Sequence, residues 1–109
     1  MEYETIRLRE AGGVATILLN RADVMNALNV QMRAELLHAV RTSGKTARVV
    51  VITGAGRAFC SGQDLGDSKS IAATDMERTL RDEYVPLLKA IYECPVPVMS
   101  AVKGPAAGA

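Results

Sequence analysis

The stretch that decides the fold reads VVVITGAGRAFCSGQDL, from Val49 to Leu65. Its first part is a continuous apolar run, which is typical of a strand buried on both faces of a parallel sheet. Its second part begins a segment rich in glycine, serine and aspartate that predicts a loop over residues 54–70. Loops of this length in a small domain are usually functional or disordered. We therefore expect a buried strand that leads into a functional loop.

Upstream of this stretch the sequence predicts a hairpin and a helix. Residues 5–9 alternate polar and apolar, Gly12-Gly13 signals a turn, and residues 14–19 form a β-rich apolar run. Asn29 is a good N-cap residue for the helix, and Gly44 suits the left-handed position that ends many helices. The apolar face of this helix is formed by Met32, Leu36, Leu37 and Val40.

Downstream the sequence predicts a second helix. Thr74 and Glu77 have the spacing of a capping box at its start. Pro86 lies inside the helix and should kink or break it. Its apolar stripe contains Leu80, Tyr84, Leu87, Leu88 and Ile91. Its solvated face is predicted to contain Arg78, Arg81, Asp82 and Glu83.

The chain continues into one more predicted strand. Cys94-Pro95 should end the second helix, and residues 98–102 indicate a buried strand. A loop of small residues, 103–109, follows that strand. The order strand, strand, helix, strand, long loop, helix, strand, loop indicates an α/β fold with crossovers.

Length and composition exclude several classes of function. A chain of 109 residues is enough for one small domain, and its net charge of +1 gives no electrostatic footprint for nucleic acid. No run is long and apolar enough to span a membrane, and the acidic start is not typical of a secretory signal. We expect a cytoplasmic protein in which Cys60 and Cys94 are reduced, with a disulfide between them as the alternative.

The two predicted loops, 54–70 and 103–109, each follow a strand that we expect to be buried. Ligands gather at the carboxyl ends of parallel strands, and small residues there allow a ligand to approach the backbone closely. One main-chain N–H from each loop could then point at a single oxygen. This arrangement is an oxyanion hole, which stabilises negative charge that develops on a carbonyl oxygen.

Three segments together resemble the crotonase family of enoyl-CoA hydratases and isomerases. Residues 51–65 resemble its first oxyanion loop, residues 19–28 an upstream segment of the family, and residues 97–109 the start of its second oxyanion loop. The order and spacing agree across nearly the whole chain. The resemblance implies a crotonase-like spiral of ββα units. Residues 1–109 would be the N-terminal part of that domain, truncated after the strand leading to the second loop.

The resemblance also implies a substrate and its binding residues. The substrate is an acyl-CoA thioester, whose carbonyl oxygen accepts hydrogen bonds from the main-chain N–H groups of Gln63 and Ala109. Arg57 is assigned to a CoA phosphate, which a guanidinium group suits. The implied substrate and CoA contacts are Met25, Ala27, Arg57, Ser61, Gly62, Gln63, Asp64, Leu65 and Gly108. The resemblance implies no metal and no separate cofactor, and a homotrimer or dimer of trimers at full length.

Within the family, Gln63 and the run Ala107-Gly108-Ala109 favour the branch that isomerises ring-1,2-epoxyphenylacetyl-CoA in phenylacetate breakdown. Enoyl-CoA hydratase is the alternative, although hydratases more often have alanine at the position of Gln63. Ala22 stands where the family usually has proline. The family's acid and base carboxylates lie downstream of the second loop, so no such role is assigned, and we expect the chain alone to be inactive. An alternative of another class is a non-catalytic fragment or interaction module.

Other chemistry is less favoured by the sequence. Gly54-Ala55-Gly56 begins like a dinucleotide-binding fingerprint but lacks its third glycine, and Ser61 lacks the GxSxG spacing of a nucleophile elbow. Cys60 is interpreted as a packed thiol, and His38, the only histidine, as a partly exposed surface residue. Asp64 is interpreted as ordering its loop through an Asx turn.

Overall fold

A four-stranded mixed sheet and two helices make up the described chain. The computed structural model describes residues 2–62, 78–102 and 104–107. The strands lie in the order β1-β2-β3-β4, with β1 antiparallel to β2 and the other neighbours parallel. The elements in chain order are β1 (Ile6–Ala11), β2 (Val14–Leu19), a 3₁₀ turn (Ala22–Val24), α1 (Val30–Ser43), β3 (Val49–Gly54), a π-helical turn (Leu80–Tyr84), α2 (Val85–Tyr92) and β4 (Val98–Ala101). The α/β class with crossovers is confirmed.

Local sequence signals set the hairpin and the start of α1. Gly12 and Gly13 join β1 to β2 with φ angles of 59° and 83°, a left-handed pair that two-residue hairpin turns require. Asn29 caps α1, because its side-chain oxygen accepts a hydrogen bond from the Met32 N–H at 2.8 Å. Both predictions are confirmed.

The core lies between one face of the sheet and the two helices. Ile17, Val50 and Met32 are fully buried there. The prediction that β3 is buried on both faces is wrong, because Val51 and Thr53 on its other face are only half-buried. The helices of the described chain thus cover a single face of the sheet.

The prediction that the last strand is buried is also wrong. β4 forms the edge of the sheet in the part of the chain that the structure describes, and only its first residue, Val98, is half-buried. Met99 and Val102 are more than half exposed. The apolar sequence predicted the strand correctly, but not what covers it.

Two helix ends differ from expectation. Gly44 is right-handed, with φ −62°, so its expected left-handed position is wrong. A glycine leaves space there, since a Cβ would lie 2.9 Å from the Cys94 sulfur and that sulfur would have to shift. Pro86 does not end its helix, because it lies in the first turn of α2, where no N–H is needed, and a π-helical turn precedes it. Thr74 and Glu77, the proposed capping box, lie outside the described residues.

Glu35 on α1 holds the segment that precedes β1. Its carboxylate is fully buried and accepts hydrogen bonds from the N–H groups of Glu4 and Thr5, from the Thr5 hydroxyl and from Gln31. Burial alone would raise the pKa of Glu35, but these hydrogen bonds to the charged form outweigh it and lower the pKa. No sequence pattern indicated this buried charge, because its main-chain partners, Glu4 and Thr5, lie about thirty residues away.

Candidate active site

The first loop leaves β3 through a tight turn at Gly54. A Cβ at Gly54 would lie 2.5 Å from the carbonyl oxygens of Ala58 and Phe59, so no larger residue can occupy this position without a shift. Gly56 has a φ of 77°, which favours glycine. The sequence thus folds the loop back over the end of its own strand, and Ala58 and Cys60 become buried.

Asn26 holds this turn from the upstream segment. It is fully buried and left-handed, with φ 57°. Its side-chain NH₂ group donates to the carbonyl oxygens of Ala55 and Ala58 at 2.9 and 3.0 Å, with that of Phe59 at 3.2 Å. Its side-chain oxygen accepts from the Arg21 N–H at 2.8 Å. Sequence reasoning placed Asn26 in a family-like segment but missed this role, which only the long-range contacts reveal.

Three of the predicted binding residues lie together. The Ser61 N–H donates to the Met25 carbonyl oxygen at 3.0 Å, and the Ser61 hydroxyl donates to the Val24 carbonyl oxygen at 3.3 Å. The Arg57 guanidinium approaches the Met25 sulfur at 3.7 Å and is exposed. Met25, Arg57 and Ser61 therefore form one surface at the start of the first loop.

Ala27 and Gly62 are also close in space, but they are buried. The carbonyl oxygen of Gly62 accepts a hydrogen bond from the Leu28 N–H at 2.7 Å, and Gly62 has a φ of 97°. Ala27 is 7% exposed, and its carbonyl oxygen accepts from the Arg21 guanidinium at 2.6 Å. The upstream segment and the first loop thus meet along their backbones.

The second loop docks on the first through main-chain hydrogen bonds. The Phe59 N–H donates to the Pro105 carbonyl oxygen and the Ala107 N–H to the Cys60 carbonyl oxygen, both at 3.0 Å. Cys60 and Ala106 form a parallel β-bridge. A Cβ at Gly104 would overlap the Arg57 carbonyl oxygen, so the close contact of the loops requires glycine there. The remaining predicted site residues, Gln63, Asp64, Leu65, Gly108 and Ala109, lie outside the described residues.

The thiol of Cys60 is packed between these segments. It is 5% exposed and donates to the Asn26 carbonyl oxygen at 3.2 Å, while the Gly62 N–H approaches its sulfur at 3.4 Å. Cys60 and Cys94 are both free thiols. His38 is half-buried, and its Nδ1 atom lies 2.7 Å from the Tyr3 hydroxyl oxygen. The described contacts of Cys60 and His38 are therefore packing contacts and hydrogen bonds within the fold.

An apolar cavity of about 400 Å³ lies between the first loop and the second helix. Phe59 and Cys60 line it on the loop side, and Leu80, Tyr84 and Leu88 line it on the helix side. Leu80 and Leu88 are exposed although their spacing placed them on the buried stripe, whereas Tyr84 and Leu87 are buried as predicted. The cavity offers an apolar surface next to the main-chain groups of the first loop.

Arg33 joins the upstream segment to the helix side of this cavity. It is 3% exposed and donates to the Leu28 carbonyl oxygen at 3.0 Å, to the Tyr84 hydroxyl at 3.3 Å and to the Glu83 carboxylate at 2.7 Å. Burial raises the pKa of Tyr84, and the nearby Arg33 cation opposes this rise. The interpretation of Glu83 as part of a solvated face is wrong, because it is half-buried against Arg33. The π-helical turn brings it there.

Among residues 2–62, 78–102 and 104–107, no helix is long and apolar enough to cross a membrane. The same part of the chain contains no cluster of three histidine, cysteine, aspartate or glutamate side chains that could hold a metal ion.

Comparison with known proteins gives consistent results. Residues 9–109 match the family described as enoyl-CoA hydratase/isomerase. The whole chain is 55% identical to 42% of a probable enoyl-CoA hydratase from Rhodobacter capsulatus. It is also 39% identical, over 89% of its length, to 39% of the 1,2-epoxyphenylacetyl-CoA isomerase of Escherichia coli. A crystal structure of an enoyl-CoA hydratase/carnithine racemase from Magnetospirillum magneticum superposes with a TM-score of 0.89 at 33% identity, covering 98% of this chain and 42% of that one. The chain thus spans about two fifths of the length of these relatives.

Proposed function

This chain belongs to the enoyl-CoA hydratase/isomerase family, and from this premise we propose that it forms the oxyanion hole for an acyl-CoA thioester. The donors are the main-chain N–H groups of Gln63 and Ala109. The observation that supports this assignment is the bridge between Cys60 and Ala106, which aligns the two loops in parallel. Gln63 and Ala109 each follow the bridged pair by three residues, so the register favours their convergence on one oxygen.

The proposed chemistry follows from where charge develops. Removing a proton beside a thioester carbonyl, or adding water to its conjugated double bond, places negative charge on the carbonyl oxygen. Fixed N–H dipoles stabilise that charge without reorganisation, and one such donor typically lowers the activation barrier by about 2.7–4 kcal/mol. Main-chain donors leave the side chain of Gln63 free to vary. The residues that transfer protons are proposed to lie in sequence beyond this chain.

The CoA part of the substrate is proposed to lie along the surface formed by Met25, Arg57 and Ser61. Arg57 is exposed there, and its guanidinium group can bind a phosphate through two hydrogen bonds. Ala27 and Gly62 would contribute backbone rather than side chain, since both are buried. The other proposed contacts are Gln63, Asp64, Leu65 and Gly108. CoA is part of the substrate, and the proposal uses no separate cofactor.

Of the two family reactions, we propose hydration of an enoyl-CoA. The relative at 55% identity is named a probable enoyl-CoA hydratase, and the epoxyphenylacetyl-CoA isomerase is 39% identical. This favours the alternative over the isomerase that Gln63 suggested. Isomerisation of the ring epoxide remains the second candidate because that relative also matches nearly the whole chain. A homotrimer or dimer of trimers, acting in the cytoplasm, is proposed for the complete protein.

The test is a thioester comparison on the protein expressed from its complete reading frame. Crotonyl-CoA hydration is followed by loss of the enoyl absorbance, and epoxyphenylacetyl-CoA isomerisation by chromatography of the CoA esters. We expect faster turnover of crotonyl-CoA. Faster turnover of the epoxide would support the isomerase instead. Binding of butyryl-CoA without turnover of either substrate would support a non-catalytic protein.

A further inference from the structure

The residues Met25–Leu28, here called the clamp segment, contact the first loop at both of its described ends. We propose that Asn26 in this segment is a positioning residue for the N–H group of Gln63, and this inference rests on the proposed function. Asn26 would contact no substrate. It would act by fixing the backbone that holds the donor.

The contacts of Asn26 are those of a backbone clamp. Its NH₂ group has two hydrogens and faces the carbonyl oxygens of Ala55, Ala58 and Phe59 within 3.2 Å. These carbonyls belong to the turn between β3 and the bridge to the second loop. The main-chain carbonyl oxygen of Asn26 accepts a hydrogen bond from the thiol of Cys60, which forms the bridge to the second loop. One fully buried side chain thus fixes the loop at the point where the second loop docks.

The clamp segment continues to the peptide group that contains the proposed donor. The Leu28 N–H donates to the Gly62 carbonyl oxygen at 2.7 Å. That carbonyl and the N–H of Gln63 belong to one peptide group, which is planar and normally trans. In such a group the N–H points away from the carbonyl oxygen, so fixing one fixes the direction of the other. Leu28 lies two residues after Asn26, and any shift of the clamp segment would therefore rotate the donor.

The backbone of the clamp segment is itself unusual. Met25 and Asn26 have φ angles of 51° and 57°, and two consecutive left-handed residues other than glycine are uncommon. Asparagine tolerates this conformation better than most residues, and glycine adopts it freely. Substitution by glycine therefore removes the clamp side chain without adding backbone strain at position 26.

The experiment compares Asn26→Gly and Asn26→Asp with the wild type in the protein from the complete reading frame. Asn26→Asp keeps the shape but removes the donors that face three carbonyl oxygens. Asn29→Ala is the matched control, because it removes an asparagine three residues away whose described side-chain hydrogen bond, from the Met32 N–H, caps α1. We expect kcat for crotonyl-CoA to fall about 100-fold in both Asn26 variants, the effect of a small misplacement of reacting groups. KM should stay near its wild-type value, because the interaction matters mainly in the transition state.

A second readout separates positioning from general weakening. Butyryl-CoA labelled with ¹³C at its thioester carbonyl is bound to each protein, and isotope-edited infrared spectra report the C=O stretch. We expect a shift to lower frequency on the wild type and on Asn29→Ala, and loss of most of that shift on both Asn26 variants.

The possible outcomes distinguish failure of the positioning role of Asn26 from failure of the proposed oxyanion hole on which it rests. If the wild type binds butyryl-CoA without a frequency shift, the oxyanion hole itself is wrong. If the wild type shows the shift and both Asn26 variants retain it, the hole stands and the positioning role is wrong. Loss of the folded circular-dichroism signal in both Asn26 variants, with Asn29→Ala folded, would also overturn it, since Asn26 would then be a residue of the core.

Discussion

Replacing Glu35 by glutamine should destabilise the protein by about 2 kcal/mol at neutral pH. The main-chain N–H groups of Glu4 and Thr5 donate to the Glu35 carboxylate and cannot turn elsewhere. A hydrogen bond to a charged group contributes about 1.5–3 kcal/mol and one between neutral groups about 0.5–1.5 kcal/mol, so each N–H loses about 1–1.5 kcal/mol. Relief from burying a charge offsets part of the total. Gln31 and the Thr5 hydroxyl can rotate to accept from the new amide.

The pH dependence of this difference has a definite sign. The hydrogen bonds lower the pKa of Glu35 below its ordinary value of 4.5. The stability that the carboxylate contributes is therefore fully present above that value and is lost as the pH falls through the folded-state pKa. Below it the wild type carries a neutral carboxyl group, as Glu35→Gln carries a neutral amide. The gap between the two proteins should therefore narrow in acid.

The assay is urea unfolding followed by circular dichroism at pH values from neutral to below the ordinary glutamate pKa of 4.5, where the unfolded-state carboxyl group takes up its proton before the folded one. The protein has no tryptophan, so intrinsic fluorescence is a poor probe. Glu93→Gln on the exposed end of α2 is the control, and its effect should stay within about 0.5 kcal/mol. A gap that stays constant over this pH range, or one no larger than that of the control, would refute the reasoning.

Two further changes test the packing and the contact between the loops. Met32→Ala should lower the free energy of unfolding by about 2–5 kcal/mol, because Met32 is fully buried between helix and sheet. The control, Val24→Ala on the exposed 3₁₀ turn, should change it by less than about 0.5 kcal/mol. Thermal unfolding of both variants checks this, and equal effects would contradict the assigned core. Gly104→Ala should lower crotonyl-CoA turnover about 100-fold while the fold is retained, because its methyl group would push the second loop away from the Arg57 carbonyl oxygen. Wild-type kinetics in this variant would show that turnover does not need the close approach of the two loops.

Local signals in the sequence were sufficient wherever a short segment determines its own structure. The Gly12-Gly13 turn and the Asn29 cap were predicted because the residues and their partners lie within a few positions of one another. Gly44 shows the limit of this reasoning. The Cys94 side chain, fifty residues away, packs where a Cβ at position 44 would lie, and no local pattern could indicate that.

The candidate site shows the same contrast between features that local sequence predicts and features that depend on distant residues. The resemblance assigned Met25, Arg57 and Ser61 to one site, and the structure brings these three residues together; their contact with CoA stays a prediction. The side-chain hydrogen bonds that hold the first loop come from Asn26, whose partners lie about thirty residues downstream. Glu83 was misinterpreted for the same reason, since its partner Arg33 lies fifty residues earlier on another helix. Polar residues with distant buried partners are therefore the ones that sequence patterns miss.

The exposed edge strand β4 has a practical consequence for handling the protein. In the described part of the chain its outer edge has no partner strand, and Met99 is 58% exposed. An open edge with apolar side chains is a template on which another chain can add a strand. The 109-residue polypeptide made by itself should therefore self-associate as its concentration rises. Placing a lysine at Met99 should keep it in solution longer, because charged side chains on an edge strand oppose such pairing.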